Sequence, residues 1–413
     1  MISKRLWHLL RLSRELSLRV SLIAFLAVLA AALAGLLEPY IPHALETRFG
    51  EEAVMPLLNI LASSMLAVTT FSLSVMVTAH MQAASQVTPR SHRLLLEDSI
   101  TQTVLATFLG AFIFALVSII LFRADAYGAR AAVVVFFFTV AVIALVVVAI
   151  LRWIDHLSRL GSMDETIRLV EAYARKALEL RRANPSLSAR PLTPETRVPE
   201  DSVAIPARTG GYVQFVDMPG LAKAAEDHAA MIYLAAMPGS FVVQGQPLAH
   251  ASSGEDRLAD AVRAAFYVSD LRTFDQDAGF ALVVLSEIAS RALSPGLNDP
   301  GTAIDVIGRL ERLLAKPVSM TQDAERLTHE RIWAPPVTEA DLLRDAFDPI
   351  ARDGAGMIEV AARLQAALGT LRHGDDPAMA QAAQVMARRA LVHAEHALVL
   401  EEDRDRIRKM AGR

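Results

Sequence analysis

The sequence predicts a mainly α integral membrane protein, with four transmembrane helices followed by a cytoplasmic α+β region. Three observations lead to this fold class. Of the 413 residues, 53% are hydrophobic, and the apolar excess lies almost entirely before residue 152. That part contains four long apolar runs, and basic residues are concentrated on one side of them. The rest of the chain carries charges of both signs and is punctuated by prolines, as in soluble domains.

The predicted membrane domain covers residues 1–152. Its spans are placed at about 20–37, 56–82, 102–122 and 131–151, and each is long enough to cross the hydrocarbon core. The first run is longer than the apolar part of a signal peptide, and a substantial N-terminal segment precedes it. We therefore expect it to be a retained anchor.

The distribution of charge predicts the orientation of these spans. Residues 1–19 hold five Lys and Arg against one acid, whereas the loop 38–54 holds four acids against one arginine. Seven basic residues follow the fourth span, in 152–182. Because basic loops stay on the cytoplasmic side, both termini and the loop 87–101 are predicted to be cytoplasmic. This is the topology of a multi-pass protein of a bacterial inner membrane.

The second span has a polar face, which is unusual for a membrane helix. At 100° per residue its polar side chains fall within a sector of about 160°. The candidate pore-lining residues on this face are Ser63, Thr70, Ser74, Thr78, Gln82 and Gln86. His80 lies off the face.

Two interpretations of this face stay open. Small hydroxyl residues let membrane helices pack closely, and the third span offers a matching face through Thr103, Thr107, Gly110 and Ser118. Alternatively, hydroxyl and amide groups line a water-filled path. Since one protomer of four helices cannot enclose a pore, the second interpretation requires a homo-oligomer with this span near its axis.

The remaining chain divides by composition. We predict a juxtamembrane helix at 153–182, a proline-rich linker at 183–201, a small β-rich unit at 202–252 and a helical domain at 253–413. The predicted strands are 203–206, 211–216, 231–234 and 240–243, with a short helix at 221–227. The predicted helices of the last domain are 255–271, 278–293, 300–315, 338–369 and 376–409. The stretch from Pro238 to Leu248 resembles barrel-sandwich domains of the biotinyl and lipoyl type, but it lacks their central lysine, so no attached cofactor is expected.

A candidate ligand site lies in the helical domain. Asp275 and Asp277 precede one helix, and Asn298 and Asp299 lie between two others. Their oxygens could bind a hard cation or a small ligand if the two segments meet. A tight interhelical turn also accounts for the second segment, with Gly296 at positive φ, Asp299 as a cap and Pro300 in the first turn.

Several functional classes are excluded or disfavoured. The chain has no cysteine, so disulfides and thiolate chemistry are excluded, and a net charge of −4 gives no reason to expect a nucleic acid partner. His393 and His396 have no third ligand at a recognisable spacing, so no metal site is assigned. Common catalytic and nucleotide-binding motifs are missing, which indicates that the chain is not an enzyme and needs no cofactor.

Three motifs carry a resemblance to a known family. They are Phe71-Ser-Leu through Gln86-Val-Thr-Pro-Arg90, Arg272-Thr-Phe-Asp-Gln-Asp277, and Ala292-Leu-Ser-Pro-Gly-Leu-Asn-Asp-Pro300 with Thr302-Ala303. In this order they resemble the bacterial predicted membrane proteins catalogued as domain of unknown function 2254. Here Gly301 follows the last motif, and Thr78-Ala-His80 stands where the family usually has a more apolar run. The resemblance implies an architecture and no established activity.

The functional hypothesis is therefore a homo-oligomeric inner-membrane protein embedded in the bilayer. In it, the second span borders a water-filled path of a channel or transport protein, and the cytoplasmic domain acts as gate or sensor. The alternative is a non-transporting, membrane-anchored scaffold or ligand-binding module. An enzyme acting on lipid or envelope substrates is the weakest hypothesis, because no nucleophile and base are paired in the sequence.

Overall fold

The chain folds into two compact units. The computed structural model describes residues 16–37, 40–42, 45, 49–86, 88–91, 99–128, 130–157, 162–315 and 328–412. The described residues up to Glu165 form the membrane unit, and those from Thr166 onward form the C-terminal unit. The division lies before the proline-rich segment 183–201 in which the sequence predicts a linker.

The membrane unit consists of long apolar helices. Their bounds are α1 Leu16–Leu37, α2 Glu51–Gln86, α3 Ser99–Arg123 and α4 Ala131–Leu157. Within the described ranges, these four are long and apolar enough to cross a membrane. The prediction of four apolar spans is confirmed. Each helix begins at or before its predicted start, and α2 in particular begins five residues earlier, at two glutamates.

The third helix is at the centre of the membrane unit. Buried residues make up 56% of its span, against 11% in α1 and 17% in α2. All three other helices pack against α3, and the fully buried Phe108 and Phe114 lie on it. Gly110 is needed there, because a Cβ at this position would lie only 2.5 Å from Cγ2 of Ile23 on α1. Consequently α1 and α2 leave much of their surface exposed.

The C-terminal unit mixes strands and helices. The strands are β1 Ala189–Pro191, β2 Val203–Pro206, β3 Gly211–Val216, β4 Ile232–Leu234, β5 Phe241–Val242, β6 Pro247–Ala251, β7 Phe266–Ser269 and β8 His329–Ala334. The helices are α5 Met163–Ala183, α6 Met218–Asp227, α7 Asp256–Ala265, α8 Phe280–Ala292, α9 Pro300–Leu314, α10 Glu339–Asp353, α11 Ile358–Arg372, α12 Pro377–Ala397 and α13 Glu401–Ala411.

The described strands form two sheets. The larger has the order β1-β8-β4-β6-β2, with parallel pairing of β8 to both β1 and β4 and antiparallel pairing elsewhere. The smaller is antiparallel, in the order β5-β3-β7. Side chains from both sheets share one core with α6 and α7, which includes Ile205, Leu221, Ile232 and Leu258. This core holds the β-rich part as one body.

Several elements differ from those the sequence predicts. Ala189–Pro191, inside the predicted linker, forms β1 and pairs with β8, which lies about 140 residues later in the chain. The predicted helix 255–271 ends at Ala265, because the aromatic and β-branched run Phe266–Ser269 pairs with β3. The predicted helices 338–369 and 376–409 are each divided in two, at residues 354–357 and 398–400.

The turn between α8 and α9 mostly follows its prediction. Asp299 caps α9, because its carboxylate accepts hydrogen bonds from the Thr302 amide and hydroxyl, and Pro300 occupies the first turn. The residue at positive φ is Asn298 (φ 48°), whereas the sequence predicts it at Gly296. Asparagine tolerates this conformation better than most residues, and the positive φ lies two positions later than predicted.

Candidate functional site

The polar face of α2 lies on the side that is directed away from the helix bundle. Buried residues of α2, such as Val54, Leu58 and Met65, define the side that packs against α3 and α4. At 100° per residue the centre of the polar face is roughly opposite to them. The candidate residues Ser63, Thr70, Ser74, Thr78 and Gln82 are all exposed. The side chain of Gln86 lies outside the described residues.

The hydroxyl groups of this face are hydrogen-bonded within the helix. Thr70, Ser74 and Thr78 each donate to the carbonyl four residues earlier, at 2.9–3.1 Å. Ser63 does the same to Asn59. Such back-bonding satisfies the donor, but each hydroxyl oxygen keeps acceptor capacity on the exposed surface. The face is therefore polar without any unsatisfied donor among these four hydroxyls.

On α3, the glycine of the matching face packs against α1. Gly110 approaches Ile23 of α1, and Thr107 donates its hydroxyl hydrogen bond back to Thr103 of α3 itself, at 2.8 Å. In the described protomer Gly110 therefore packs against α1, and the packing interpretation of the polar face of α2 stays a prediction. The bundle does not bury the five exposed candidate residues of α2.

In the C-terminal unit, the segment Arg272-Thr-Phe-Asp-Gln-Asp277 is held by contacts to several elements. The buried Asp277 receives two hydrogen bonds from the Arg272 guanidinium, at 2.5 and 3.1 Å, and one from the Phe280 amide at 3.0 Å. Gln276 bonds both the amide and the carbonyl of Val216 on β3, at 2.9 and 3.2 Å. We call residues 272–279 the junction segment.

Aromatic rings connect the junction segment to α5. Phe274 lies between Phe280 of α8 and Tyr173 of α5, with ring centroids 4.5 and 5.4 Å apart. The Arg272 guanidinium lies over the Phe280 ring, 4.9 Å from its centroid. The segment therefore contacts α5, which follows the membrane spans in the chain, as well as the β-rich part and the first helix of the helical domain.

At two glycines, the absence of a side chain leaves room for the carboxylates of Asp277 and Asp345. A Cβ at Gly239 (φ +92°) would overlap the Asp277 carboxylate and lie 3.1 Å from Nε of Arg272. A Cβ at Gly279 would overlap Oδ2 of Asp345, on α10, and lie 3.7 Å from Oδ1 of Asp277. Burial raises the pKa of Asp277, against the lowering effect of Arg272. Burial also raises the pKa of Asp345, to about 6, with a further increase from the Asp277 charge.

A second charged cluster attaches α5 to the helical domain. The buried Glu171 accepts hydrogen bonds from Arg175 of its own helix and from Arg309 and Arg312 of α9, at 2.7–3.0 Å. Burial favours a higher pKa for Glu171, but the hydrogen bonds and charges of Arg312 and Arg309 outweigh it, so the pKa is lowered. Arg181 adds a further ion pair, to Glu339 of α10.

The candidate cation ligands have contacts of their own. Asp277 is bound by Arg272, whereas the exposed Asp299 caps α9 and its pKa is lowered by the Thr302 hydrogen bonds. Asn298 is exposed in the turn before that cap, and Asp275 is partly exposed. Within the described parts of the chain, no group of three or more His, Asp or Glu residues could hold a metal ion. His393 and His396 lie on α12 without such a group.

Three residues of these clusters are not apparent from the sequence. Asp345 and Glu171 lie in ordinary charged helices, and the residues that cover them are distant in the chain: Gly279 for Asp345 and Arg309 for Glu171. Gly239 follows a proline, which signals a turn but not the close approach of Asp277. By contrast, the contact of Arg272 with Asp277 lies within one motif, so a local signal exists.

The chain is similar to one protein family and to uncharacterized proteins of mycobacteria. The family model described as "Predicted membrane protein (DUF2254)" matches residues 13–370. Uncharacterized proteins of Mycobacterium bovis and Mycobacterium tuberculosis are 30% identical over 230 residues, which is 52% of this chain and 44% of theirs. The chain therefore matches less than half the length of these curated relatives. No solved structure matches it significantly.

Proposed function

Because this chain belongs to the DUF2254 family of predicted membrane proteins, we propose that it functions as a homo-oligomer in a bacterial inner membrane. In the proposed assembly, the exposed polar face of α2 borders a water-filled path for an ion or small solute. The C-terminal unit is on the cytoplasmic side, where it acts as gate or sensor. The proposal assigns the chain no catalysis and no cofactor.

The observation that carries the proposal is the direction of the polar face. In a monomer, Ser63, Thr70, Ser74 and Thr78 would face lipid, which offers no partner for their free acceptor capacity. A second copy of the chain or a column of water provides those partners. One polar face on one helix of four cannot enclose a water-filled path. Such a path therefore requires several copies of the chain, with α2 of each copy near the symmetry axis.

The composition of α2 supports a path for hydrated solutes. Between Ala53 and Gln86 the helix has no Asp, Glu, Lys or Arg, and its polar face consists of hydroxyls and amides. His80, off the face, is bonded to the Met76 carbonyl at 2.8 Å. These neutral groups can contact water and ions without the high cost of a charge in the membrane.

Cross-linking between copies tests the assembly. The chain has no native cysteine, so a single introduced cysteine is the one thiol that can form a cross-link between copies. With α2 near a symmetry axis, Ser74→Cys should form disulfide-linked dimers under mild oxidation in membranes. Leu73→Cys is a matched control, because Leu73 is also exposed but lies on another side of α2, about 100° away. Equal cross-linking of the two, or none at any position from Thr70 to Thr78, would argue against the assembly.

The alternative is a non-transporting scaffold or ligand-binding module, and the back-bonded hydroxyls favour it. A hydroxyl whose donor is satisfied within its own helix packs well against another helix. A scaffold could therefore present this face without any path for water. Strong cross-linking at Ser74 combined with no access of hydrophilic reagents to the same position would identify a packed oligomer without a path.

The orientation is tested separately from the assembly. We propose that the α3–α4 loop is extracytoplasmic and that the C-terminal unit is cytoplasmic, as the distribution of basic residues indicates. Ala126 and Glu200 are exposed positions on either side of α4 in the chain. A membrane-impermeant maleimide applied to intact spheroplasts should label Ala126→Cys and spare Glu200→Cys. The reverse pattern would invert the proposed topology.

A further inference from the structure

The junction segment and α10 bring three charged side chains to one place. Asp277 and Asp345 both approach Gly279. Arg272 forms an ion pair with Asp277, and its charge also acts on Asp345, so one guanidinium serves two carboxylates. When both acids are ionised the cluster carries a net negative charge, and one proton makes it neutral. Because the site is largely removed from water, the electrostatic cost of that uncompensated charge is greater than on the surface.

Asp345 is the member of the cluster that can take up this proton. Burial raises the pKa of Asp277, but its carboxylate accepts two hydrogen bonds from Arg272 and one from the Phe280 amide, which favour the charged form. The Asp345 carboxylate faces Gly279, and burial raises its pKa to about 6. Protonation at Asp345 therefore relieves the excess charge while the Arg272–Asp277 pair stays intact.

Other charged groups near α10 are engaged elsewhere. Those that influence Asp345 from its own helix are Asp341 and Arg344. The helices packed against α10 carry further charges: Arg389 of α12 pairs with Asp348, Arg363 of α11 pairs with Glu311 of α9, and α8 carries Glu287 and Arg291. Both arginines thus have acidic partners other than Asp345, and neither is among the charges that shift the pKa of Asp345.

Contacts lead from this cluster to α5. Arg272 lies over Phe280, which packs against Phe274, and Phe274 packs against Tyr173 of α5. A change in the position of Arg272 would therefore be transmitted through three rings to the helix that follows the membrane spans. Gln276 hydrogen-bonds the same segment to β3, so we expect the residues of the junction segment to move together.

We propose that the junction segment is a proton-controlled latch. Protonated Asp345 lets α10 close on the segment and holds Tyr173 of α5 in place, whereas ionised Asp345 loosens this contact. The latch is a property of the C-terminal unit and holds whether or not the chain transports anything. If the proposed function is also correct, acidification of the compartment that contains this unit is the signal it senses.

Thermal unfolding of the purified full chain in detergent, from pH 4 to pH 7.5, tests the proton linkage. Since the pKa of Asp345 is raised in the folded chain, stability from this group is present below pH about 4 and is lost as pH rises through about 6. Asp345→Asn should therefore melt at the same temperature as the wild type near pH 4 and higher at pH 7. Asp348→Asn is the control, because Asp348 lies on the same helix as Asp345 but pairs with Arg389 of α12.

A cysteine on α5 tests whether the latch reaches that helix. Ala174 is fully buried beside Tyr173, so Ala174→Cys reacts only when α5 opens, and Glu200→Cys on the surface corrects for thiol ionisation at each pH. The corrected labelling rate should rise on the order of tenfold from pH 5 to pH 7. Each unit by which the pKa of Asp345 is shifted changes the opening equilibrium tenfold, and screening of the charges by solvent reduces the full effect. Asp345→Asn should keep the low rate throughout.

Two results would overturn the latch. Parallel pH profiles of wild type and Asp345→Asn would show that the proton is not taken up at Asp345. A stability difference without any change in Ala174→Cys labelling would show that the effect stops before α5. If Asp345→Asn fails to fold, Asp345→Ser must show the same loss of pH dependence. Neither measurement depends on flux, so a failure of the latch is distinguishable from a failure of the proposed path.

Discussion

Alanine at Gly239 should be far more damaging than alanine at Gly245, although the two glycines share one backbone conformation. Their φ angles are +92° and +90°, and both lie beside β5. A Cβ at Gly245 would meet no atom within 4 Å, whereas one at Gly239 would overlap the Asp277 carboxylate. The pair therefore separates the cost of positive φ from the cost of displacing Asp277.

The magnitudes follow from these two contributions. Positive φ in a non-glycine residue costs about 1–2 kcal/mol, which both variants incur. Gly239→Ala must in addition push Asp277 from Arg272, and breaking a buried ion pair costs about 3–5 kcal/mol. For a unit of this size, 1 kcal/mol corresponds to roughly 2–4 °C. The Gly239→Ala protein should thus melt roughly 6–20 °C below the Gly245→Ala protein.

The assay is thermal unfolding of the purified full chain, followed by tryptophan fluorescence in one detergent at one pH. A second background isolates the contact: with Asp277→Ala already present, the clash is gone, and Gly239→Ala should cost no more than Gly245→Ala. Equal melting temperatures of the two single variants would refute the placement of Asp277 against Gly239. An undiminished penalty in the Asp277→Ala background would also contradict it.

Two further predictions concern the charged cluster on α5 and the centre of the membrane unit. Glu171→Gln should destabilise the protein by about 2–4 kcal/mol at pH 7, because it removes the buried carboxylate that pairs with the mostly buried Arg309; the exposed Asp305→Asn should cost under about 1 kcal/mol. The pKa of Glu171 is lowered in the folded chain, so the difference between wild type and Glu171→Gln should shrink as pH falls below about 4.5 in thermal melts. Gly110→Ala should lower the melting temperature of the membrane unit by overfilling its contact with Ile23, and Ile23→Ala should restore much of it; a double variant no better than Gly110→Ala would contradict that contact.

The spans and the polar face of α2 could be predicted because both depend on local patterns. Apolar length identifies a span, and a period of 3.6 residues identifies a face. The direction of that face could not be predicted. It depends on which helices pack against Leu58 and Met65, and Gly110 of α3 turned out to receive α1 instead of α2. Helix pairing in a bundle is a long-range choice that a single sequence leaves open.

In the C-terminal unit, the missed elements also depend on distant partners. β1 forms only because β8 lies beside it, and Phe266–Ser269 becomes a strand because β3 offers an unpaired edge. Asp299 and Pro300 were predictable as a helix start because capping is local. Asp345 was not, since its burial depends on Gly279, 66 residues earlier in the chain.

The central claim is that the exposed polar face of α2 borders water, and three consecutive residues test it most directly. Ser72 is buried in the bundle, Leu73 is exposed on an apolar side, and Ser74 is exposed on the polar face. Each is replaced by cysteine in turn, and labelling by a small charged thiol reagent is measured in native membranes. If the face borders water, labelling is fast at Ser74→Cys alone, because lipid excludes the reagent from Leu73→Cys and packing excludes it from Ser72→Cys. Labelling of Ser74→Cys no faster than that of Leu73→Cys would contradict it.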